Sequence, residues 1–171
     1  MNIAMLGSGF VAEFYMQGLQ NVGGQEVVAN YSRTPKRGRE FAKRWEVGES
    51  TTNLAKLIAR DDIDLYVIAL PNQEHLPISL LLSAAGRNQV CTKPLARDGK
   101  EAKQMLGAAH RSGAMHGYAE TEVFAPAVVK ARAMVEAEAS DGFCGCGRGV
   151  AQRSTQPSFL GCRADRRRRD E

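Results

Sequence analysis

The sequence predicts an α/β protein built on a doubly wound parallel sheet. Three observations lead to this prediction. Short apolar runs alternate with amphipathic helical patterns over residues 1–138, as in β-α-β units. The run Asp64–Leu70 is apolar almost throughout, which is typical of a strand buried on both faces of a parallel sheet. Gly86 and Gly113 follow helical patterns, where a left-handed residue commonly ends a helix.

The first strand, turn and helix occupy the first 22 residues. Asn2–Leu6 is a short apolar run, and Gly7–Ala12 follows it with the pattern G-x-G-x-x-A. Apolar residues then recur at helical spacing, at Val11, Phe14, Tyr15, Gly18, Leu19 and Val22. We therefore expect a buried strand that passes through a tight glycine turn into an amphipathic helix.

The same patterns predict the remaining elements. The predicted strands are 25–31, 64–70, 89–92 and 114–118, and the predicted helices are 35–45, 53–60, 74–85, 99–112 and 126–138. Thr34, before Pro35, and Asp98 stand where capping side chains begin helices. Because no period continues past residue 138, we expect a domain over 1–121, a connecting helix over 122–138 and a disordered, irregular tail over 139–171.

Composition and charge narrow the class of protein. Residues 139–171 carry seven arginines against four acidic residues, a net of +3, which leaves +1 for residues 1–138. No apolar run approaches the roughly 18 residues of a membrane span, and the start lacks the layout of a secretory signal. Cys91 lies in an apolar stretch and is expected to be a plain core thiol. We expect a cytoplasmic protein that binds neither membrane nor nucleic acid.

The glycine turn predicts a nucleotide site. In a G-x-G-x-x-A turn the first glycine permits the sharp bend and the second lets the backbone approach a phosphate, while the small last residue lets helix and strand pack closely. The helix N-terminus then offers free N–H groups to a pyrophosphate. The residues expected to line the cofactor here are Gly7, Ser8, Gly9, Phe10 and Val11.

The residues that follow the second strand indicate which nucleotide is bound. An acidic residue that holds the ribose is expected about 20 residues beyond the turn, but Ser32 and Arg33 occupy that position. A hydroxyl and a guanidinium suit a 2′-phosphate, which favours NADP over NAD and disfavours FAD and S-adenosylmethionine. Tolerance of both NADP and NAD stays open, as does the reading of Arg33 as a solvated loop charge.

Further candidates follow the later strands, where ligands bind in open parallel sheets. Pro71, Asn72 and His75 come after the most buried strand, and Asn72 and His75 are candidates to face the cofactor. Lys93 follows the next strand, where it could anchor a substrate hydroxyl or exchange its proton. Glu120 ends the last strand and either lines the pocket or is a loop charge.

Taken together, five motifs resemble the Gfo/Idh/MocA family of NAD(P)-dependent oxidoreductases. They are G-S-G-F-V-A, S-R-T-P, P-N-Q-E-H, T-K-P-L and Y-A-E, in that order over residues 1–138. The resemblance implies a Rossmann-like NAD(P)-binding domain in which Lys93 is the active-site lysine and Asn72 and His75 lie near the nicotinamide. One departure is that Thr92 stands where the family has a glutamate.

The tail admits several interpretations. Permitted codons for residues 159–171, read one nucleotide out of frame, can encode S-W-D-A-E-L-T-G-G-G-A-M, which resembles the family's second domain, and residues 139–147 and 151–158 give further shifted matches. We interpret the tail as the frameshifted remnant of a substrate domain. The tail cysteines, Cys144, Cys146 and Cys162, lack a fourth ligand at zinc spacing, so no metal is expected.

The resemblance implies hydride transfer between a nicotinamide cofactor and a sugar- or polyol-like substrate, by a family whose intact members could form homo-oligomers. A further acid–base residue, commonly a histidine of the second domain, would lie beyond residue 138. We therefore expect this chain to bind NADP or NAD and to turn over little or nothing. Two alternatives are a non-catalytic dinucleotide-binding module and a nucleic-acid binder that uses the run Arg166–Arg169.

Overall fold

The computed structural model describes residues 1–139, with side chains as far as residue 137. A boundary after Glu120 divides the chain into two compact units. The first unit contains the sheet and five helices. In the second, a 3-10 turn at Glu122–Phe124 precedes helix α6, Pro126–Ala139. The predicted disorder of the tail lies outside the described residues.

The sheet has six strands, all of them parallel. They are β1 (Asn2–Leu6), β2 (Glu26–Tyr31), β3 (Glu49–Thr51), β4 (Leu65–Ile68), β5 (Gln89–Thr92) and β6 (His116–Ala119). Their order across the sheet is β3-β2-β1-β4-β5-β6, so the chain reverses direction across the sheet beside β1 and β4. Ligands bind at such a reversal in open α/β sheets. The predicted fold class is confirmed.

Five helices of the first unit cover the two faces of the sheet. They are α1 (Phe10–Leu19), α2 (Pro35–Trp45), α3 (Leu54–Ile58), α4 (His75–Ala84) and α5 (Gly99–Ser112). Residues of α1 and α2 pack in one core cluster with Ile3 and Met5, and residues of α3, α4 and α5 pack in a second cluster with Ala4 and Leu6. Because successive β1 side chains alternate between the two clusters, β1 is buried on both faces.

The buried face of the first helix only partly matches the predicted one. Ala12 and Met16 are buried, whereas Phe14 is 58% exposed and Val22 lies beyond the end of the helix. Ala12, the small last residue of the glycine motif, lets α1 approach the sheet as predicted. The predicted stripe is confirmed at Tyr15 and Leu19, which pack against the core, and is wrong at Phe14 and Val22.

Strand β3 was missed by the sequence analysis. Its three residues, Glu49–Thr51, are half-buried and polar, so they show no apolar alternation. The strand pairs with β2 at one edge of the sheet. By contrast, β1, α2, β5 and α5 have the predicted bounds, and the remaining predicted elements differ by a few residues at their ends. Such shifts are expected because sequence patterns locate helix and strand ends poorly.

The predicted helix ends are mostly confirmed. The Asp98 carboxylate accepts hydrogen bonds from the backbone N–H groups of Lys100 and Glu101, both at 2.8 Å. Gly86 and Gly113 have φ of 64° and 67°, in the left-handed region. Thr34 lies at the N-cap position of α2, but its side chain makes no capping hydrogen bond among the described residues. Within residues 1–139, no helix is both long and apolar enough to span a membrane.

The two N-cap residues provide a matched test. Replacement of Asp98 by alanine removes two hydrogen bonds to the first turn of α5 and should lower the free energy of unfolding by about 1 kcal/mol. Thr34→Ala removes no capping bond and should lower it by less than about 0.5 kcal/mol. Urea unfolding of both variants measures the difference, and equal losses would contradict the capping assignment.

Candidate functional site

The predicted site residues lie along one edge of the sheet. Because all six strands are parallel, their carboxyl ends meet at the same edge, and each candidate follows one of those ends. Strand β1 is followed by Gly7, Ser8, Gly9, Phe10 and Val11, and β2 by Ser32 and Arg33. Strand β4 is followed by Pro71, Asn72 and His75, β5 by Lys93, and β6 by Glu120.

Gly7 makes the closest backbone approach at this edge. Its φ of 134° lies in a region that side chains disfavour. A Cβ at this position would overlap the Ala69 carbonyl group, at 2.9 Å from its carbon atom. The Gly7 N–H donates to the Tyr31 carbonyl oxygen at 2.9 Å, so the turn is bonded to β2 and pressed against the end of β4. A glycine is therefore required at this position.

The Asn30 side chain is hydrogen-bonded to the same turn. This β2 side chain is fully buried, and its Nδ2 donates to the carbonyl oxygens of Met5 at 3.0 Å and Gly7 at 2.6 Å. A buried amide needs such partners, because an unsatisfied one costs about 1–3 kcal/mol. The sequence analysis missed this residue, although a single amide within the apolar run Val27–Tyr31 is a detectable signal.

The N-terminus of α1 is open. Gly9 is the N-cap residue, and no described side chain caps the helix. A Cβ at Gly9 would have no heavy atom within 4 Å, so the space beside it is free. The first N–H groups of a helix have no partners within the helix and carry partial positive charge. The arrangement is therefore suited to an anion.

Glu13, the one acidic residue in the first turn of α1, is hydrogen-bonded to side chains of α2. The two carboxylate oxygens of Glu13 accept hydrogen bonds from Arg44 at 2.9 Å and from the Trp45 indole at 2.7 Å. Both partners belong to the last turn of α2. The arginine also balances the charge of this carboxylate, which would otherwise oppose an anion at the helix N-terminus.

Ser8 and Ser32 join the turn to the end of β2. Their hydroxyl oxygens are 2.8 Å apart. Ser32 is buried, and its hydroxyl also donates to the Thr34 carbonyl oxygen at 3.1 Å. Since Ser32 has one hydroxyl proton, Ser8 is the donor in the bond between them. In this structure the Ser32 hydroxyl is hydrogen-bonded within the loop that follows β2. Its contact with a cofactor stays a prediction.

Arg33 faces a carboxylate that the sequence analysis did not associate with it. One of its guanidinium nitrogens lies 3.3 Å from Glu74 Oε1. Glu74 ends the 3-10 turn Asn72–Glu74, which follows β4. A search for an acid about 20 residues beyond the glycine turn could not find it, because Glu74 comes from a different strand end.

His75 does not face the crevice. Its side chain is fully buried, with Nδ1 3.0 Å from the Pro94 carbonyl oxygen and Nε2 2.9 Å from that of Leu70. Both ring nitrogens are thus occupied by backbone groups of the loops that follow β4 and β5. This corrects the expectation that the imidazole contacts the cofactor: the side chain connects the two loops instead. Pro71 and Asn72, in the same segment, are exposed.

Lys93 is exposed at the end of β5, beside a buried threonine. The Thr92 hydroxyl donates to the Ile68 carbonyl oxygen at 2.9 Å and so connects β5 to β4. The Thr92 side chain thereby stabilises the sheet at this point. Burial raises the pKa of the neighbouring Cys91 thiol to about 12, in agreement with a core thiol.

Glu120 accepts a hydrogen bond from the Tyr118 hydroxyl at 3.0 Å. Burial, followed by this bond and the charge of Glu120, raises the pKa of Tyr118. The pKa of Tyr15 on α1 is also raised, mainly by burial and further by the charges of Cys91 and Glu120.

The strand order, the glycine turn and the open helix N-terminus together define a nucleotide-binding Rossmann fold. A family model described as "Oxidoreductase family, NAD-binding Rossmann fold" matches residues 1–119. The chain belongs to this family, the Gfo/Idh/MocA oxidoreductases.

Individual relatives match the chain over part of their length. The chain is 29% identical over 126 residues to 4-carboxy-2-hydroxymuconate-6-semialdehyde dehydrogenase of Sphingobium sp. strain SYK-6, which covers 74% of this chain and 40% of the relative. It is 27% identical to scyllo-inositol 2-dehydrogenase (NADP(+)) IolU of Bacillus subtilis, over 74% of this chain and 38% of the relative. The chain thus spans about two fifths of the length of these relatives.

A solved structure shows the same fold. The crystal structure of GenD2 from gentamicin A biosynthesis, in complex with NAD, superimposes with a TM-score of 0.74 at 29% identity. The match covers 79% of this chain and 38% of GenD2.

The two glycines of the turn have different structural requirements, which alanine substitution can separate. Gly7→Ala places a methyl group against the Ala69 carbonyl and forces an unfavourable φ, so the free energy of unfolding should fall by about 3 kcal/mol or more. Gly9→Ala meets open space at a φ of −100° and should lower it by no more than about 1 kcal/mol, the cost of an alanine at an N-cap. Urea unfolding tests both, and a tolerated Gly7→Ala would contradict the close approach.

Proposed function

We propose that this chain is the cofactor-binding part of an oxidoreductase that uses NADP or NAD and acts on a sugar- or polyol-like substrate. The observation that carries the proposal is the Gly7-centred turn, which leads into the uncapped N-terminus of α1 at the edge where Lys93 lies. Membership of an oxidoreductase family supports the redox chemistry.

The residues present fit a dinucleotide. The open space at Gly9 leaves room for a pyrophosphate on the N–H groups of Phe10 and Val11. Ser32 and Arg33 stand at the end of β2, where the adenosine ribose would be held, and Ser8 is hydrogen-bonded to Ser32 there. Pro71, Asn72 and Lys93 would lie towards the nicotinamide half. When bound, the cofactor supplies a nicotinamide C4 that accepts or donates a hydride.

The share of this chain in catalysis is to orient the substrate and to assist proton movement. We propose that the Lys93 ammonium donates a hydrogen bond to the reacting hydroxyl or carbonyl oxygen of the substrate and so fixes the carbon atom beside the cofactor. Its exposed position after β5 supports this role. Glu120, which follows the neighbouring strand β6 and accepts a hydrogen bond from Tyr118 within that strand, offers a further polar group at this edge of the sheet.

The substrate class is proposed from the relatives. One of them is a scyllo-inositol dehydrogenase that uses NADP, and a polyol offers the hydroxyl that Lys93 would hold. The match leaves about three fifths of that relative without a counterpart in this chain. We therefore propose that the 171-residue chain binds dinucleotide but turns over little or none of a polyol substrate.

Ligand-dependent stability tests the proposal. A ligand that binds the folded state raises its melting temperature, with a stabilisation of about 2.7 kcal/mol at 100 times Kd. NADPH and NADH should therefore raise the Tm of the purified chain, whereas FAD and S-adenosylmethionine should not. Gly9→Ala should bind both dinucleotides at least about tenfold more weakly, since its methyl group takes the space of the pyrophosphate.

Two outcomes would contradict the proposal. Stabilisation by neither dinucleotide, or an unchanged affinity in Gly9→Ala, would remove the cofactor assignment. Measurable oxidation of scyllo-inositol by the purified 171-residue chain would contradict the second part, namely that this chain turns over little substrate.

A further inference from the structure

We propose that Glu74 sets the preference between the two dinucleotides by pairing with Arg33 and opposing a 2′-phosphate. This inference rests on the proposed function, because it concerns the same cofactor site. It reverses the expectation drawn from Arg33 alone, which favoured NADP.

The geometry brings the two side chains together over the centre of the site. Arg33 follows β2 and Glu74 follows β4, and β1 lies between these strands in the sheet. The Arg33 Nη1 to Glu74 Oε1 distance is 3.3 Å. The pair therefore spans the carboxyl end of β1, where the glycine turn begins. Any group that approaches the Arg33 guanidinium also approaches the Glu74 carboxylate.

The backbone around Glu74 is fixed. The Glu74 N–H donates to the Pro71 carbonyl oxygen at 2.8 Å within the 3-10 turn. The next residue, His75, is buried with both ring nitrogens against backbone oxygens. The Glu74 side chain is 30% exposed, against 54% for Arg33. The carboxylate is thus the more buried partner, on a backbone segment that is held by hydrogen bonds on both sides.

Electrostatics then distinguishes the two cofactors. A 2′-phosphate at Arg33 carries negative charge into contact range of the Glu74 carboxylate, and like charges a few ångströms apart repel. A ribose 2′-hydroxyl carries no charge and can donate a hydrogen bond to a carboxylate. Glu74 therefore weakens NADP binding and leaves NAD binding little affected. Because both side chains are partly exposed, solvent and salt screen the effect, which should be moderate.

Two further basic residues lie close to Arg33 in the chain. Lys36 is paired with Glu40 at 4.0 Å, and Arg37 follows it in the first turns of α2. Glu74 does not pair with either of them in the described structure. These residues supply positive charge that could retain some NADP binding, so the effect of Glu74 is on preference rather than on binding as such.

The test compares NADPH and NADH binding to four variants of the full 171-residue chain, measured as Kd by nucleotide fluorescence at low and at high salt. The variants are Glu74→Gln, Arg33→Ala, the double variant and Glu26→Gln. The last is a matched control, because it removes the same charge at the opposite end of β2. Melting temperatures without nucleotide establish that each variant is folded.

We expect Glu74→Gln to bind NADPH about three- to tenfold more tightly, with NADH affinity changed less than about twofold. In the Arg33→Ala background the gain from Glu74→Gln should largely disappear, since the two residues act as a pair. High salt should reduce the gain, and Glu26→Gln should leave the ratio of the two Kd values unchanged.

The inference fails by itself if both dinucleotides bind and Glu74→Gln leaves that ratio unchanged, or changes it only by weakening NADH. It also fails if Glu74→Gln gives the same gain with and without Arg33. If neither dinucleotide binds the parent chain or any variant, the proposed function fails together with this inference. The two failures are therefore distinguishable.

Discussion

The contact between the Gly7 backbone and the Ala69 carbonyl group is the constraint on which the rest of the edge depends. It seats the turn between β1 and α1 directly on the end of β4. A side chain at this position would push the turn away from the sheet, and with it the N-terminus of α1. The buried Asn30 amide fixes the same turn through the Gly7 carbonyl oxygen. The direction in which the helix N–H groups point is therefore a consequence of core packing.

Buried polar side chains organise the rest of the edge in the same way. His75 connects the loops after β4 and β5, and Thr92 connects the two strands themselves. Ser32 holds the loop after β2 and accepts the Ser8 hydroxyl. These groups can influence ligand binding without contacting a ligand, because each one fixes the position of an exposed neighbour. Asn72, Lys93 and Arg33 are the exposed residues that these groups position.

The sequence was sufficient for the fold and for bringing the candidate residues to one edge of the sheet. Alternating apolar runs and helical patterns identified five of the six strands, and the glycine turn indicated the edge that we propose binds the cofactor. Sequence patterns failed where the deciding contact is tertiary. The burial of His75 and the pairing of Arg33 with Glu74 depend on loops far apart in the chain. The strand Glu49–Thr51 was missed because half-buried polar residues leave no periodic signal. Asn30 stands out as a single amide in an apolar run, but the sequence does not show that its partners are the backbone carbonyls of the glycine turn.

The central claim is that the turn and the first N–H groups of α1 form the binding surface for a dinucleotide pyrophosphate. Titration of the ¹⁵N-labelled chain with NADH, followed by amide chemical shifts, tests it most directly. The account predicts that the largest shifts fall on the backbone amides of residues 7–12, with smaller ones after β2 and β4. Shifts confined to other surfaces, or no shift in residues 7–12 at saturating nucleotide, would contradict it.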